Sequence, residues 1–237
     1  MKARFFIDAS MGRAGDVMAL AADERRHVRS RRLSDGERVI VLDGLGGRGE
    51  GTLVLSGTAV RIERVLRPRG EAVVAVTVLL GAAEPARVEW AIEKGTECGA
   101  SAFVLVEAAR SQAAHVAALG SRLDRLRRIA AEAVKQCDRT LVPTVTGPGP
   151  LKDALDFAPR PLVLTSPGGP ATLSDVLVEE ARRGGLLAIA IGPEGGFDPS
   201  EEAMIREAGA ADLGLGPRIL RLETAVVAAL SRLAAFG

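Results

Sequence analysis

Aromatic side chains are scarce in this chain of 237 residues: they make up 3%, with one tryptophan and no tyrosine. Near the start only Phe5 and Phe6 are on hand to stack on a base. Nucleic-acid contact there would therefore rest on charge and backbone, not on base reading. Cysteine is as rare. Cys98 and Cys137 lack any CxxC spacing, which excludes a disulfide framework and fits buried thiols in a reducing cytoplasm. Two histidines, far apart in the chain, cannot supply a His-rich metal site, so no metal is expected. No apolar run reaches membrane-spanning length, and the first residues lack a signal-peptide apolar core. The expectation is a cytoplasmic protein with no membrane partner. A dinucleotide GxGxxG after the first strand is absent, as is the nucleotide-binding GxxxxGK[ST]. Neither a dinucleotide nor a nucleoside triphosphate is favoured.

The length suits one large domain or two small ones. Hydrophobic residues at 47% and charged residues at 26% describe a globular chain, not a disordered one. The net charge of +1 is unevenly spread. Residues 1–70 hold 14 Lys and Arg against 9 Asp and Glu, an excess of +5, which leaves −4 for the remainder. Either the front binds a polyanion or arginine is in chance excess, and composition does not choose between them.

Residues 1–70 have the pattern of a small β-barrel. Arg4–Ala9 forms a first strand, and further strands follow in "RVIVLDG", "EGTLVLS" and "TAVRIERVL", separated by Asp-Gly turns. Between them a basic helical segment carries Arg25, Arg26, Arg29, Arg31 and Arg32, with His27 among them. Such guanidinium forks suit phosphate oxygens; the alternative is a solvated helix face paired with Asp23 and Glu24. From residue 71 the period changes. Apolar strands at "AVVAVTVLLG", "AFVLVEA", "PLVLTSP", "LLAIAIG" and "ADLGLG" alternate with helices. One helix has Pro85 near its start, one is long and capped by Ser121, one is capped by Ser174 or its predecessor, one by Asp198 or Ser200, and the last is apolar and runs to Phe236. The alternation predicts an open α/β domain over 71–237 with a mainly parallel sheet.

Three strand ends carry unusual chemistry: Leu164–Pro167, Gly192–Gly196 and Leu215–Leu220. Ligands of open α/β sheets sit at the carboxyl ends of strands, and glycines let bare backbone approach them. Each bend alone is ordinary turn chemistry; the three together predict one pocket for a neutral or cationic, adenosine-like ligand.

The pair "IGPEGGF" and "LGPRILRLETA" resembles the RsmE family, ribosomal RNA uridine-N3 methyltransferases of the SPOUT class. "EKGTECGA", "EAVKQCDRTLVP" and the opening "RFF" extend the resemblance over nearly the whole chain, with Cys98 where the family usually has leucine. The resemblance implies a PUA-like barrel followed by an α/β domain with a C-terminal trefoil knot, working as a homodimer. It implies S-adenosylmethionine held by Leu164, Thr165, Gly192, Pro193, Gly195, Gly196, Leu215, Gly216, Ile219 and Leu220. The partner would be 16S ribosomal RNA or the small ribosomal subunit.

Uracil N3 must lose a proton as it is methylated, and it lies on the pairing edge, so the base must be unpaired or flipped. Arg221 and Glu194 are the candidate catalytic groups, with Glu223 a further orienting carboxylate. Arg218 and Arg139 are candidates for RNA contact, the latter in a stripe with Glu132 and Gln136 at i, i+4, i+7 spacing. Arg218 and Arg221 paired to Glu223, and Glu194 capping a turn, are the bland alternatives. A SPOUT enzyme acting on transfer RNA and a non-catalytic RNA-binding module are the competing functions.

Overall fold

The computed structural model describes residues 2–166, 168–170 and 172–233. In chain order the elements begin β1 (Arg4–Phe6), β2 (Val17–Ala19), α1 (Ala22–Ser30), β3 (Arg38–Leu42), β4 (Arg48–Val54) and β5 (Ala59–Leu66). There follow β6 (Ala75–Gly81), α2 (Pro85–Glu97), β7 (Ala100–Glu107), α3 (Ala113–Gly120), α4 (Leu123–Cys137), β8 (Thr144–Pro150) and α5 (Leu151–Phe157). The last are β9 (Leu162–Thr165), α6 (Asp175–Gly184), β10 (Leu186–Ile191), α7 (Pro199–Glu207), β11 (Ala211–Leu213) and α8 (Leu222–Leu233). The chain divides into two compact units: the stretch up to Glu71 with Val134–Val142, and the remainder.

The first unit is a curled sheet in the order β1-β3-β4-β5-β2. Its two edge strands are joined by an Ile7–Leu20 bridge, with the Asp8 N–H donating to Ala19 O (3.1 Å) and the Ala21 N–H to Phe6 O (2.9 Å). Strand alternation turns Val60 and Ile62 inward to join Phe5, Leu20, Val41 and Leu53, while Arg61 and Glu63 face out. α1 adds Val28 to the same core and leaves Arg26 and Arg29 exposed.

Residues 134–142 are fixed to this unit by carboxylates. Glu24, buried, accepts from Lys135 Nζ at 2.6 Å and lies 3.1 Å from His27 Nδ1. The sequence pattern continues α4 to Thr140, but the helix stops at Cys137 because Asp138 adopts a left-handed φ of 66°. Asp138 then accepts from Arg4 Nε (3.1 Å) and Arg48 Nη2 (3.2 Å). Glu71 accepts from the Thr140 N–H (2.7 Å), the Leu141 N–H (2.9 Å) and Arg139 Nη2 (2.8 Å). The expected stripe is thus broken: Glu132 and Gln136 are exposed, whereas Arg139 leaves the helix and is buried against Glu71.

The second unit holds six strands in the order β11-β9-β10-β6-β7-β8, every pairing parallel. Residues 187–191 of β10 are buried throughout, as befits a central strand covered on both faces. Leu151 and Leu155 of α5 and Ile205 of α7 pack with Leu79, Leu162, Leu164, Ala188 and Ala190. α2 and α8 pack against each other. This is the open α/β architecture the alternation predicts, with three additions. β8 was hidden by Gly147, Pro148, Gly149 and Pro150, which resemble a loop but are tolerated in an edge strand. α5 follows it directly. The long helix expected from Ser121 is α4, which begins at Leu123; an unexpected helix, α3, precedes it, and Ser121 closes α3, its Oγ donating to Ala118 O (2.9 Å), and does not cap α4. Asp198 caps α7 in a reciprocal box with Glu201, and Ser174 caps α6. Pro167 and the expected end of the last helix at Phe236 lie outside the described residues.

Burial raises the Glu71 carboxyl, but the Arg139 guanidinium and the Thr140 and Leu141 N–H groups together bring it below its ordinary value. A carboxyl lowered by folding stabilises the fold above the ordinary carboxylate range and loses that contribution as pH falls through its folded value. Glu71→Gln is expected to destabilise the chain by about 2 kcal/mol at neutral pH. The gap from wild type should close on acidification below about pH 4, checked by thermal or urea unfolding across that range.

Candidate functional site

The neighbours β11, β9 and β10 run parallel, so their following loops leave one edge of the sheet side by side. Leu213 pairs with Thr165, and Leu164 with Ala190. The bends after these strands meet around a cavity of about 230 Å³. Thr165, Ser166 and Gly168 line it from the first bend, Gly192, Pro193, Glu194 and Gly196 from the second, and Leu215–Leu220 from the third. Leu222 and Ala225 of α8 complete the wall. The lining is largely apolar with a few polar groups, the usual character of a small-molecule site.

Glycine is required where the first and third bends touch. A Cβ built on Gly214 would lie 2.1 Å from Gly169 O, and one built on Gly169 would lie 2.9 Å from Gly214 N. The Gly214 N–H donates to Pro170 O (2.8 Å), and the Ser166 N–H to Leu213 O (3.2 Å). Within the second bend a Cβ on Gly192 would lie 2.7 Å from Phe197 N, and Gly196 takes a left-handed φ of 71°. Two flanking groups hold this bend. Arg110 Nη1 donates to Gly195 O (2.6 Å), and the capping carboxylate of Glu201 accepts the Ala109 N–H (2.7 Å). The Asp198 carboxyl is held below its ordinary value, first by the Ser200 hydroxyl and then by the Glu201 N–H. Arg206 does the same for Asp212, assisted by the Ser166 hydroxyl of the first bend.

The third bend offers backbone donors. The N–H groups of Leu215, Gly216, Arg218, Ile219 and Leu220 have no acceptor among the described residues. Exposed backbone N–H groups beside an apolar wall can hydrogen-bond the edge of a planar heterocycle while the wall packs on its face. Ile219, 97% exposed, presents its whole side chain.

Most of the expected cofactor residues come together here: Thr165, Gly192, Pro193, Gly196, Leu215, Gly216, Ile219 and Leu220 all line the cavity. Leu164 is buried in the sheet core, and Gly195 lies on the far side of its bend against Arg110. Glu194 lines the cavity; its Oε1 accepts the Glu84 N–H (3.1 Å) and lies 3.6 Å from Arg87 Nε. Glu223 pairs with Arg87 (3.1 Å), not with Arg218 or Arg221. Arg218, at the cavity, and Arg221, just beyond it, are exposed and have no ion-pair partner among the described residues. In the first unit Arg29, Arg31 and Arg32 are likewise exposed and unpaired among the described residues. Arg26 lies 3.7 Å from Asp23, and Arg25 donates to Leu20 O (2.9 Å) and reaches Asp8 (3.4 Å). Arg139 is buried in its pair with Glu71, which corrects its placement as a surface contact. Sequence reasoning missed Arg87 and Arg110, since each meets its partner across a long chain separation. Arg110 lies three residues past the end of β7, and that strand-end position is the one signal that could have flagged it.

The pattern of the RNA methyltransferase domain family matches residues 70–234. A ribosomal RNA small subunit methyltransferase E of Mycobacterium bovis is 33% identical over 95% of this chain and 88% of its own. The Bacillus subtilis protein of the same name is 31% identical over 96% and 94%. Among solved structures, a ribosomal RNA small subunit methyltransferase E from Neisseria gonorrhoeae, bound to S-adenosyl methionine, matches with a TM-score of 0.87 at 26% identity. That match covers 99% of this chain and 98% of the other.

The contact between the first and third bends supplies a test. Gly214→Val must force the bends apart, because the obstacle is backbone and cannot swing aside. The expected cost is about 2 kcal/mol in unfolding free energy, measured by denaturant titration. A variant as stable as wild type would show that the contact is not close-packed.

Proposed function

The chain belongs to the RNA methyltransferase domain family, among the ribosomal RNA small subunit methyltransferase E proteins, and on that premise we propose that it methylates N3 of a uridine in 16S ribosomal RNA. It is an S-adenosylmethionine-dependent enzyme of small-subunit ribosomal RNA. The observation that carries this reading is the convergence of three bends on one cavity, in a chain that matches a cofactor-bound relative over nearly its whole length.

The residues present fit the cofactor. Its adenosine would face the N–H groups of Leu215, Gly216, Arg218, Ile219 and Leu220, which have no acceptor among the described residues, with Leu215, Ile219 and Leu220 as apolar packing. When bound, S-adenosylmethionine supplies a methyl group activated by its sulfonium. The chain's remaining task is alignment and charge. Arg218 and Arg221, unpaired among the described residues, are available to a backbone phosphate and to the negative charge that develops on the uracil ring as N3 loses its proton. Glu194 is already engaged by the Glu84 N–H, which supports an orienting role for it over that of a free base.

In the first unit the exposed Arg26, Arg29, Arg31 and Arg32 support contact with RNA phosphates by a PUA-like barrel. A trefoil knot in the second unit and a homodimer complete the reading.

Deleting the gene should abolish N3-methyluridine from 16S ribosomal RNA, read by nucleoside mass spectrometry. Loss of a methyl group from transfer RNA instead would overturn the substrate assignment, and absence of cofactor binding in calorimetry would leave an RNA-binding module. Arg221→Ala should lower kcat by roughly 100-fold while leaving calorimetric affinity for S-adenosylmethionine unchanged. Equal loss in both would place Arg221 in cofactor binding.

A further inference from the structure

Three carboxylates meet one guanidinium beside the cavity. Arg87, in the first turn of α2, donates from Nε to Glu84 Oε2 (3.1 Å) and from Nη1 to Glu223 Oε1 (3.1 Å), and its Nε lies 3.6 Å from Glu194 Oε1. Glu194 is tied a second time by the Glu84 N–H. The Arg87 side chain is only 25% exposed and Glu223 16%, so that contact is less screened than a surface pair, whereas Glu84 and Glu194 are exposed. Glu223 Oε2 is buried with no hydrogen-bond partner among the described residues. That orphaned oxygen costs free energy, which the Arg87 contact at Oε1 offsets in part.

These contacts join three separate parts of the unit: the start of α2, the start of α8 and the tip of the second bend. The base of that bend is set by close packing, since a Cβ on Gly81 would lie 2.4 Å from Pro193. Its tip has no such packing, because Glu194 and Gly195 are exposed. On one side the tip is held by Arg110 at Gly195 O, and on the other by Arg87 through Glu194. Gly192, Pro193, Glu194 and Gly196 line the cavity, so whatever sets the tip sets one wall of it. A lysine cannot serve here, because one ammonium cannot present the separated Nε and Nη1 donors that reach the carboxylates on opposite sides.

We propose that Arg87 is a positioning residue: by neutralising Glu84, Glu194 and Glu223 together, it holds the Gly192–Phe197 bend in the form that binds S-adenosylmethionine. This rests on the methyltransferase reading for its ligand but not for its geometry.

The test uses the full chain. Arg87→Ala should weaken S-adenosylmethionine binding in calorimetry roughly tenfold and raise its KM equally. KM for RNA, and kcat at saturating cofactor, should stay at wild-type values. Amide hydrogen exchange over Glu194–Phe197 should quicken without ligand. Arg87→Lys should keep part of the loss. Adding Glu223→Gln to Arg87→Ala should recover part of the affinity, because it leaves two carboxylates rather than three without a counter-charge. A merely structural arginine would not show that rescue. Wild-type affinity and unchanged exchange in Arg87→Ala would overturn the proposal. So would losses shared by cofactor and RNA, with a lowered Tm and no relief from Glu223→Gln. Should the wild type bind no S-adenosylmethionine, the functional reading fails by itself, and exchange at the bend still decides the role of Arg87.

Discussion

The site exists because three neighbouring strands point the same way. Parallel pairing of β11, β9 and β10 brings Leu213, Thr165 and Ile191 to one edge of the sheet. Their bends must then share a small volume, and each must be built to fit the others. That constraint explains the glycines better than flexibility does. Gly169 and Gly214 are glycines because each faces the other's backbone, and no rotamer relieves a backbone clash. That contact fixes where the third bend starts, and its following residues, Leu215–Leu220, line the cavity and bring main-chain N–H groups to it. A cavity that is apolar in side chains but donor-rich in backbone suits a heterocycle that needs hydrogen bonds along its edge and packing on its face.

The same physics decides how much of this was legible in the sequence. Strands buried on both faces announce themselves as unbroken apolar runs, and β6, β9 and β10 were found that way. The glycine bends were visible as composition, and their position at strand ends made convergence a fair inference. Edge elements carry weaker signals. β8 is rich in glycine and proline because an edge strand tolerates both, and the pattern was indistinguishable from a loop. α3 was hidden for another reason. Ser121 is as good a residue for ending one helix as for starting the next, and local propensity does not say which. Asp138 was invisible too. A left-handed aspartate is strained alone and is accepted here because Arg4 and Arg48 hold its carboxylate, contacts more than 80 residues distant along the chain.

That distance is the common feature of the charge pairs that were missed. Arg139 belonged to a plausible helical stripe until the fold placed Glu71 beside it. Glu194 and Glu223 were legible as acidic groups near the site. Their shared partner was not, because Arg87 lies more than 100 residues before either. Periodicity carries information over a few turns of helix or a strand. It carries none about which charges a sheet topology will bring together.

The arginines of the second unit separate into two kinds once their partners are known. Arg87 and Arg110 are engaged, one by carboxylates and one by a backbone carbonyl, and both touch the Gly192–Phe197 bend. Arg218 and Arg221 border the cavity with no ion-pair partner among the described residues. Stability does not account for the second kind, since an exposed, unpaired guanidinium adds nothing to the fold and even a paired one adds at most about 1 kcal/mol. Nor are they there to offset local acid, because Glu223, the nearest carboxylate in sequence, is already bound to Arg87. Two cations left available beside a donor-lined cavity are suited to an anionic partner that arrives from outside. A ribosomal RNA strand carries such charge on every phosphate, and under the proposed reaction a uracil losing its N3 proton would carry it on the ring. On that proposal the engaged pair shapes the pocket, and the available pair faces what enters it.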